Sequence, residues 1–195
     1  MPRQSSIERK TNETGISISI DLDGVGKNEI STGIPFFDHM LSLFSAHGLF
    51  DLSVVAKGDI EIDFHHTVED VGLVLGNALN EALGTRKGIR RYGHAVIPMD
   101  EALAAVSIDL SNRPFLVYNV PDTVFSPGEF DVYLAKEFVR AFSTRGGMNL
   151  HINVSYGENE HHIIESILKA LGRALNMAVS KTDKMNEIPS TKGVL

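Results

Sequence analysis

The sequence predicts an α+β fold built as a tandem duplication, with two sheets and two helices per half. Three observations carry this. The block His65-His66-Thr67-Val68-Glu69 recurs as His161-His162-Ile163-Ile164-Glu165. Each block opens a stretch of helical periodicity holding the same signature, Leu-Gly-x-Ala-Leu, at Leu75 to Leu79 and at Leu171 to Leu175. Upstream, Phe44-Ser45-Ala46-His47-Gly48-Leu49-Phe50-Asp51-Leu52 aligns with Phe142-Ser143-Thr144-Arg145-Gly146-Gly147-Met148-Asn149-Leu150. Both of these segments read as helix ends stopped by glycine. Self-similarity over half a chain is the signature of a duplicated unit. The same alignment sets His39 opposite Glu137. The halves are expected at residues 1–88 and 89–180, joined near Thr85 to Tyr92, with a tail over 181–195.

Each element has its own warrant. Ile16, Ile18, Ile20 and Leu22 alternate with polar residues, which is the period of a half-buried strand. Asp23-Gly24 is a turn. Pro35 opens a helix through about Ala46, since proline fits the first helical position. Leu52 to Ala56 alternates as a strand, and Gly58-Asp59 turns the chain. A helix then runs from Thr67 to Leu83 and stops at Gly84. The second half gives strands near Ala95 to Ile97, Ala102 to Leu110 and Phe115 to Val120. It continues with a helix from Asp131 to Thr144, a strand from Leu150 to Ser155 and a helix from His161 to Ser180. Strands and helices in this order form an α+β layer structure. The tail is polar, with Pro189 and Gly193, and is ordered only if it has a task.

Composition narrows the chemistry. At 195 residues and 43% hydrophobic content, the chain can bury a substantial core. The longest apolar runs fall far short of the roughly 20 residues that span a bilayer. The start, Met1-Pro2-Arg3-Gln4-Ser5-Ser6, has no apolar signal segment. A cytoplasmic location is expected. The net charge of -7 argues against nucleic acid as main partner. With no cysteine, disulfides and thiolate ligation are excluded. Metal ligands must be imidazole and carboxylate, which suit Mn, Fe, Co, Ni or Zn.

The repeated block has metal-ligand spacing. Residues four apart share a helix face, so His65 can join Glu69 and His161 can join Glu165. Adjacent histidines diverge by roughly 100° around the axis. Each block therefore offers one imidazole to each of two ions. The expected sites are His161, Glu165, His66 and His39 for one ion, and His65, Glu69, His162 and Glu137 for the other. Four protein ligands leave two positions open on an octahedral ion, the arrangement of a catalytic site. The competing reading is surface histidines at a helix start, and two matched copies disfavour it. Taken alone, His39 reads as a neighbour of the helix-start Asp38, and Glu137 as a solvated helix residue.

These residues resemble the imidazoleglycerol-phosphate dehydratase family. The resemblance rests on Thr32-Gly33-Ile34-Pro35-Phe36-Phe37-Asp38-His39-Met40 and Asp63-Phe64-His65-His66-Thr67-Val68-Glu69-Asp70. It extends to Pro98-Met99-Asp100-Glu101-Ala102, Asn159-Glu160-His161-His162-Ile163-Ile164-Glu165 and Pro189-Ser190-Thr191-Lys192-Gly193-Val194-Leu195. The motifs run in order over essentially the whole chain. The resemblance implies a hydro-lyase of histidine biosynthesis that turns imidazole glycerol phosphate into imidazole acetol phosphate. It implies two Mn²⁺ ions and repeats of the ribosomal protein S5 domain 2 type. It further implies a homo-oligomeric shell of 24 subunits built from trimers, with active sites between subunits. One departure stands out: plant-type members carry a histidine ligand where this chain has Glu137. A carboxylate also ligates Mn²⁺, so the departure bears on metal preference and affinity.

The resemblance also implies roles for further residues. Glu13 matches the substrate-contacting acid and is the candidate for acid–base work. By position alone it is a turn residue. Arg91, Arg113, Ser190, Thr191 and Lys192 match contacts to the substrate, with the cations suited to its phosphate. Lys169, four residues past Glu165, and His47, two turns past His39, are candidate substrate contacts. Chemically, dehydration must remove a hydroxyl beside the ring and a proton from the next carbon. With both ring nitrogens on metal ions, an imidazolate can expel the hydroxyl to give a diazafulvene-like intermediate. Two rivals remain open: a dinuclear hydrolase acting on a phosphorylated small molecule, and a metal-binding shell without catalysis.

Overall fold

A computed structural model describes residues 2–121, 130–182 and 187–190. The first half contains β1 (Gln4–Lys10), β2 (Thr14–Asp21), β3 (Asn28–Ser31), α1 (Pro35–Gly48), β4 (Asp51–Gly58) and α2 (His65–Leu83). The second contains β5 (Tyr92–Met99), β6 (Ala102–Asp109), β7 (Phe115–Asn119), α3 (Val132–Gly146), β8 (Asn149–Tyr156) and α4 (Glu160–Val179). The two sheets have the same topology, β1-β2-β4-β3 and β5-β6-β8-β7. In each, the first three of these strands pair antiparallel and the last pair is parallel. The parallel pair is joined through a helix, α1 or α3. Two four-stranded sheets and four helices make the two-half α+β architecture that the repeat predicts.

Strands β1 and β3 are absent from the pattern reading. Their sequences, Gln4-Ser5-Ser6-Ile7-Glu8-Arg9-Lys10 and Asn28-Glu29-Ile30-Ser31, carry too few apolar residues to alternate. Backbone pairing to β2 and β4 defines them instead. One end signal also differs from expectation. The second half ends α3 on Gly147 with φ 61°, but α1 is followed by Leu49 at φ 56°. A leucine holds the left-handed position there, and its N–H reaches Ala46 O at 3.3 Å.

The inward strand residues Ile16, Ile18, Ile20, Leu52 and Val54 join those of β6 and β8 in one continuous hydrophobic cluster. Between the sheets the helices do not pair within their own halves. α1 packs on α4, and α2 packs on α3. The Leu-Gly-x-Ala-Leu signature explains how. A Cβ on Gly76 would lie 2.7 Å from Phe142 O of α3, and one on Gly172 would lie 2.5 Å from Phe44 O of α1. Each glycine admits a neighbouring backbone that any larger residue would push away. Phe44 and Phe142 are themselves repeat-related, so the crossing is the same on both sides. In the join between halves, the buried Arg86 guanidinium donates to Leu110 O (3.1 Å), Gly147 O (3.0 Å), Gly146 O (2.9 Å) and Asn80 Oδ1 (2.6 Å). Among the described residues no helix is long and apolar enough to cross a membrane.

Candidate metal centres

The crossed helix pairs bring residues of both halves together in two clusters. In the first, His39 of α1 meets His161 and Glu165 of α4. Glu165 Oε2 lies 3.2 Å from His161 Nε2 and 3.6 Å from His39 Nε2. In the second, His65 and Glu69 of α2 meet Glu137 of α3. His65 Nε2 lies 3.8 Å from Glu69 Oε2. Within each cluster the three ligand atoms all lie within 4.8 Å of one another. The i, i+4 pairs therefore converge, and the alignment of His39 with Glu137 identifies two residues at equivalent corners.

Within one chain each cluster brings together three of the four expected ligands. His66 and His162 lie outside both clusters, for the anticipated geometric reason. In both blocks adjacent imidazoles are 6.1 Å apart, inclined at 84° for His65 and His66 and at 80° for His161 and His162. His66 Nδ1 lies 3.0 Å from Asp59 Oδ2, and His162 Nδ1 lies 2.6 Å from Glu101 Oε2. The Asp59 hydrogen bond raises the pKa of His66, opposed by burial and aided by the charge of Glu13. The Glu101 hydrogen bond raises that of His162 in the same way. In return His162, then the Asn159 N–H, hold the Glu101 carboxyl down at about 2.

Local sequence sets these positions. Pro35 starts α1 one turn before His39. Asn159 caps α4 by accepting from His161 N at 2.9 Å, and Asp131 caps α3 by accepting from Tyr133 N and Leu134 N at 3.0 and 2.8 Å. Phe36 packs edge-on to the His161 ring at 5.1 Å. Each cluster also has a cation that ligand-spotting does not supply. Lys169 Nζ lies 2.5 Å from Glu165 Oε1. Burial pushes the Glu165 carboxyl up, and Lys169 with His161 outweighs it, so the group sits below the usual range. In the other cluster Arg140 pairs with Glu137 and lies 3.3 Å from Glu69 Oε1. Arg140 follows Glu137 by three residues, a same-face spacing visible in the sequence.

Both clusters fit a divalent ion. Imidazole and carboxylate are a suitable donor set for Mn²⁺ and its neighbours. Glu137 Oε2 is buried, faces the Arg140 guanidinium, and lies beside the ligand atoms of His65 and Glu69, so the imidazole and the two carboxylates converge on one point.

The remaining candidates fall into groups. His47 lies on the α1–α4 side, where burial, then the charges of Lys169 and Arg173, lower its pKa. Glu13 is exposed in the turn between β1 and β2, and its carboxylate has no hydrogen-bond partner among the described residues. Arg91 is engaged: it makes a two-point contact with Asp109 at 2.6 and 3.1 Å and donates to Pro189 O at 2.7 Å. It thus ties the start of the tail to the second sheet. Arg113 is exposed before β7, and its carbonyl accepts from Asn149 Nδ2. Ser190 is half-buried at the end of the described tail. Thr191 and Lys192 lie outside the described residues.

Comparison with known proteins meets this geometry. The model of the imidazoleglycerol-phosphate dehydratase family matches residues 32–175. The chain is 64% identical over all 195 residues to the imidazoleglycerol-phosphate dehydratase of Desulfosudis oleivorans, covering 100% of both chains. It is 58% identical to that of Syntrophobacter fumaroxidans, over 99% of this chain and 98% of the other. Among solved structures, the enzyme of Pyrococcus furiosus superposes with a TM-score of 0.84 at 38% identity, covering 97% of this chain and 100% of that one. The Staphylococcus aureus enzyme gives 0.82 at 39% identity, covering 92% and 99%. Two matched clusters on crossed helices, and likeness over the whole length, place this chain in the imidazoleglycerol-phosphate dehydratase family, hydro-lyases of histidine biosynthesis.

Proposed function

We propose that the chain dehydrates D-erythro-imidazole glycerol phosphate to imidazole acetol phosphate with two Mn²⁺ ions per active site. The observation that carries this reading is the pair of three-donor clusters, each drawn from both halves. His39, His161 and Glu165 would hold one ion, and His65, Glu69 and Glu137 the other. When bound, the ions would supply Lewis acidity that lets the substrate ring act as an electron sink. His66 and His162 complete the sets in neighbouring subunits, because both face away from their own chain's clusters. This favours active sites between subunits. The 24-subunit shell built from trimers, working in the cytoplasm, is carried by the family resemblance.

The reaction removes a hydroxyl from the carbon attached to the ring and a proton from the next carbon. The enol formed becomes the ketone. Glu13 is the acid–base group: it is exposed, unpaired and close enough to His66 for its charge to be felt there. Lys169 and His47, on the face of the first cluster, contact substrate. Arg113, Ser190, Thr191 and Lys192 bind the phosphate with Arg91, whose bond to Pro189 O keeps the tail close. The test is incubation of the purified, Mn-loaded protein with imidazole glycerol phosphate. The reading expects an enol or ketone product that retains its phosphate. Release of free phosphate would mark a dinuclear hydrolase, and no turnover with any divalent ion would leave a metal-binding shell. A hydrodynamic mass of a monomer or single trimer with Mn²⁺ present would contradict the shell.

A further inference from the structure

We infer that Asp59 and Glu101 are positioning residues that fix the proton of His66 and His162 on Nδ1 and so keep Nε2 free as a ligand. The inference rests on the reading of these histidines as ligands to a neighbouring subunit's ion. An ionised carboxylate only accepts hydrogen bonds, so the imidazole nitrogen facing it must carry the proton. The two contacts, 3.0 Å at His66 and 2.6 Å at His162, both fall on Nδ1. At His162 the nearest carboxylate to Nε2 is Asp100 Oδ2 at 3.8 Å, beyond hydrogen-bond reach. A ligand histidine whose second nitrogen donates to a carboxylate is held in orientation and made more basic, and loss of such a partner weakens metal binding about 10- to 100-fold.

The two halves reach this result with different residues. Glu101 immediately precedes β6, as Glu13 immediately precedes β2, so the two glutamates occupy the same place in repeat-related turns. In the second half the turn glutamate holds the block's second histidine. In the first half Asp59, after β4, has taken that contact. Glu13 is thereby left without a partner and available for proton transfer. The duplicated acid has separated into one positioning and one reacting residue.

The surroundings of the two carboxylates make a sharp test. Glu101 Oε1 accepts from Asn159 N at 2.8 Å and Glu158 N at 3.3 Å, while Oε2 faces His162. In Glu101→Gln the two backbone donors hold the amide oxygen, which turns the amide NH₂ toward Nδ1. The histidine proton then moves to Nε2 and blocks the ligand position. Asp59 Oδ1 has no hydrogen-bond partner among the described residues, so the amide of Asp59→Asn can present its oxygen to His66. The same chemical change should therefore act differently in the two halves.

Mn²⁺ binding is measured calorimetrically on the full assembly, with Co²⁺ absorption spectra reporting nitrogen ligation and thermal melting reporting the cap role of Glu101. Glu101→Gln is expected to weaken binding at one site about 10- to 100-fold and to alter the Co²⁺ spectrum. Asp59→Asn is expected to stay within about threefold of wild type, Asp59→Ala to fall about tenfold, and Glu101→Asp to regain part of the loss. His162→Ala serves as the reference. If it weakens Mn²⁺ binding but Glu101→Gln does not, the positioning role is overturned and the ligand reading stands. If His162→Ala binds as wild type, the ligand reading fails and the positioning role with it. A Glu101→Gln variant that melts lower with an unchanged Co²⁺ spectrum is capping only, which also overturns the inference.

Discussion

The two clusters occupy equivalent places but differ in charge. One has two imidazoles and a carboxylate, with Lys169 on Glu165. The other has one imidazole and two carboxylates, with Arg140 touching both Glu69 and Glu137. A change from histidine to glutamate adds a negative charge to a donor set. Here a guanidinium stands beside that charge. The comparison teaches that the duplication conserves geometry, through helices that cross at repeat-related glycines, while the electrostatics of the two sites are tuned separately. Both clusters should take up Mn²⁺ in competition with a cation, an arginine that touches two carboxylates in the Glu137 cluster and a lysine that touches one in the His39 cluster.

The largest effect should come from removing a shared donor. Glu165→Gln and Glu69→Gln are each expected to lower turnover about a thousandfold, since Lewis-acid stabilisation amounts to several kcal/mol. Metal analysis of the purified variants should show one ion per chain rather than two. If either variant keeps both ions, the clusters do not act as separate sites. The equivalence of the helix crossings is tested next. Gly76→Ala and Gly172→Ala should each destabilise the fold by about 1–3 kcal/mol, because both new methyl groups meet backbone that cannot yield. Equal drops in melting temperature support equal crossings, and a neutral result at one position breaks the symmetry there.

A smaller effect sharpens the charge difference. Arg140→Gln should raise Mn²⁺ affinity at one site about fivefold, roughly 1 kcal/mol, with the Coulomb gain reduced by solvent and salt. Weaker binding in that variant would instead make Arg140 a support for the ligands. The smallest concerns Asp51 and Asn149, which begin β4 and β8. Asp51 Oδ1 accepts from Val25 N at 2.8 Å and Lys27 N at 2.9 Å, whereas Asn149 Nδ2 donates to Ser111 Oγ at 3.2 Å and to Arg113 O. The Val25 and Lys27 N–H groups lower the Asp51 pKa. A carboxyl depressed on folding stabilises above its unfolded pKa, and that stability is lost as pH falls through the folded value, below about pH 4. Asp51→Asn should flatten that part of the acid denaturation curve, and Asn149→Ala should leave its shape unchanged.

Much of this was legible in the residues. The alternation of Ile16, Ile18 and Ile20 marks β2 because one face is buried. Pro35, Asp131 and Gly147 mark helix ends because they meet backbone needs that are local. The pairing of His39 with Glu137 could be read from alignment of the halves alone. Three things were not legible. β1 and β3 carry no alternation, since hydrogen bonds to neighbouring strands hold them. Asp59 and Glu101 show no spacing to the histidines they grip, because seven and sixty-one residues respectively separate each pair. Four ligands per ion could be counted from the blocks together with the His39 and Glu137 alignment, but not that His66 and His162 turn away from their own chain's clusters.

The sequence by itself determined the duplication, the donor chemistry and the divergence of the adjacent histidines, since these follow from residue type and the helical period. Only the tertiary structure decided that α1 crosses α4 and α2 crosses α3, so that each cluster takes donors from both halves. That choice depends on Gly76 and Gly172 meeting the backbones of Phe142 and Phe44, contacts between residues far apart along the chain. Local periodicity places a side chain on a face, and packing decides which other face it meets.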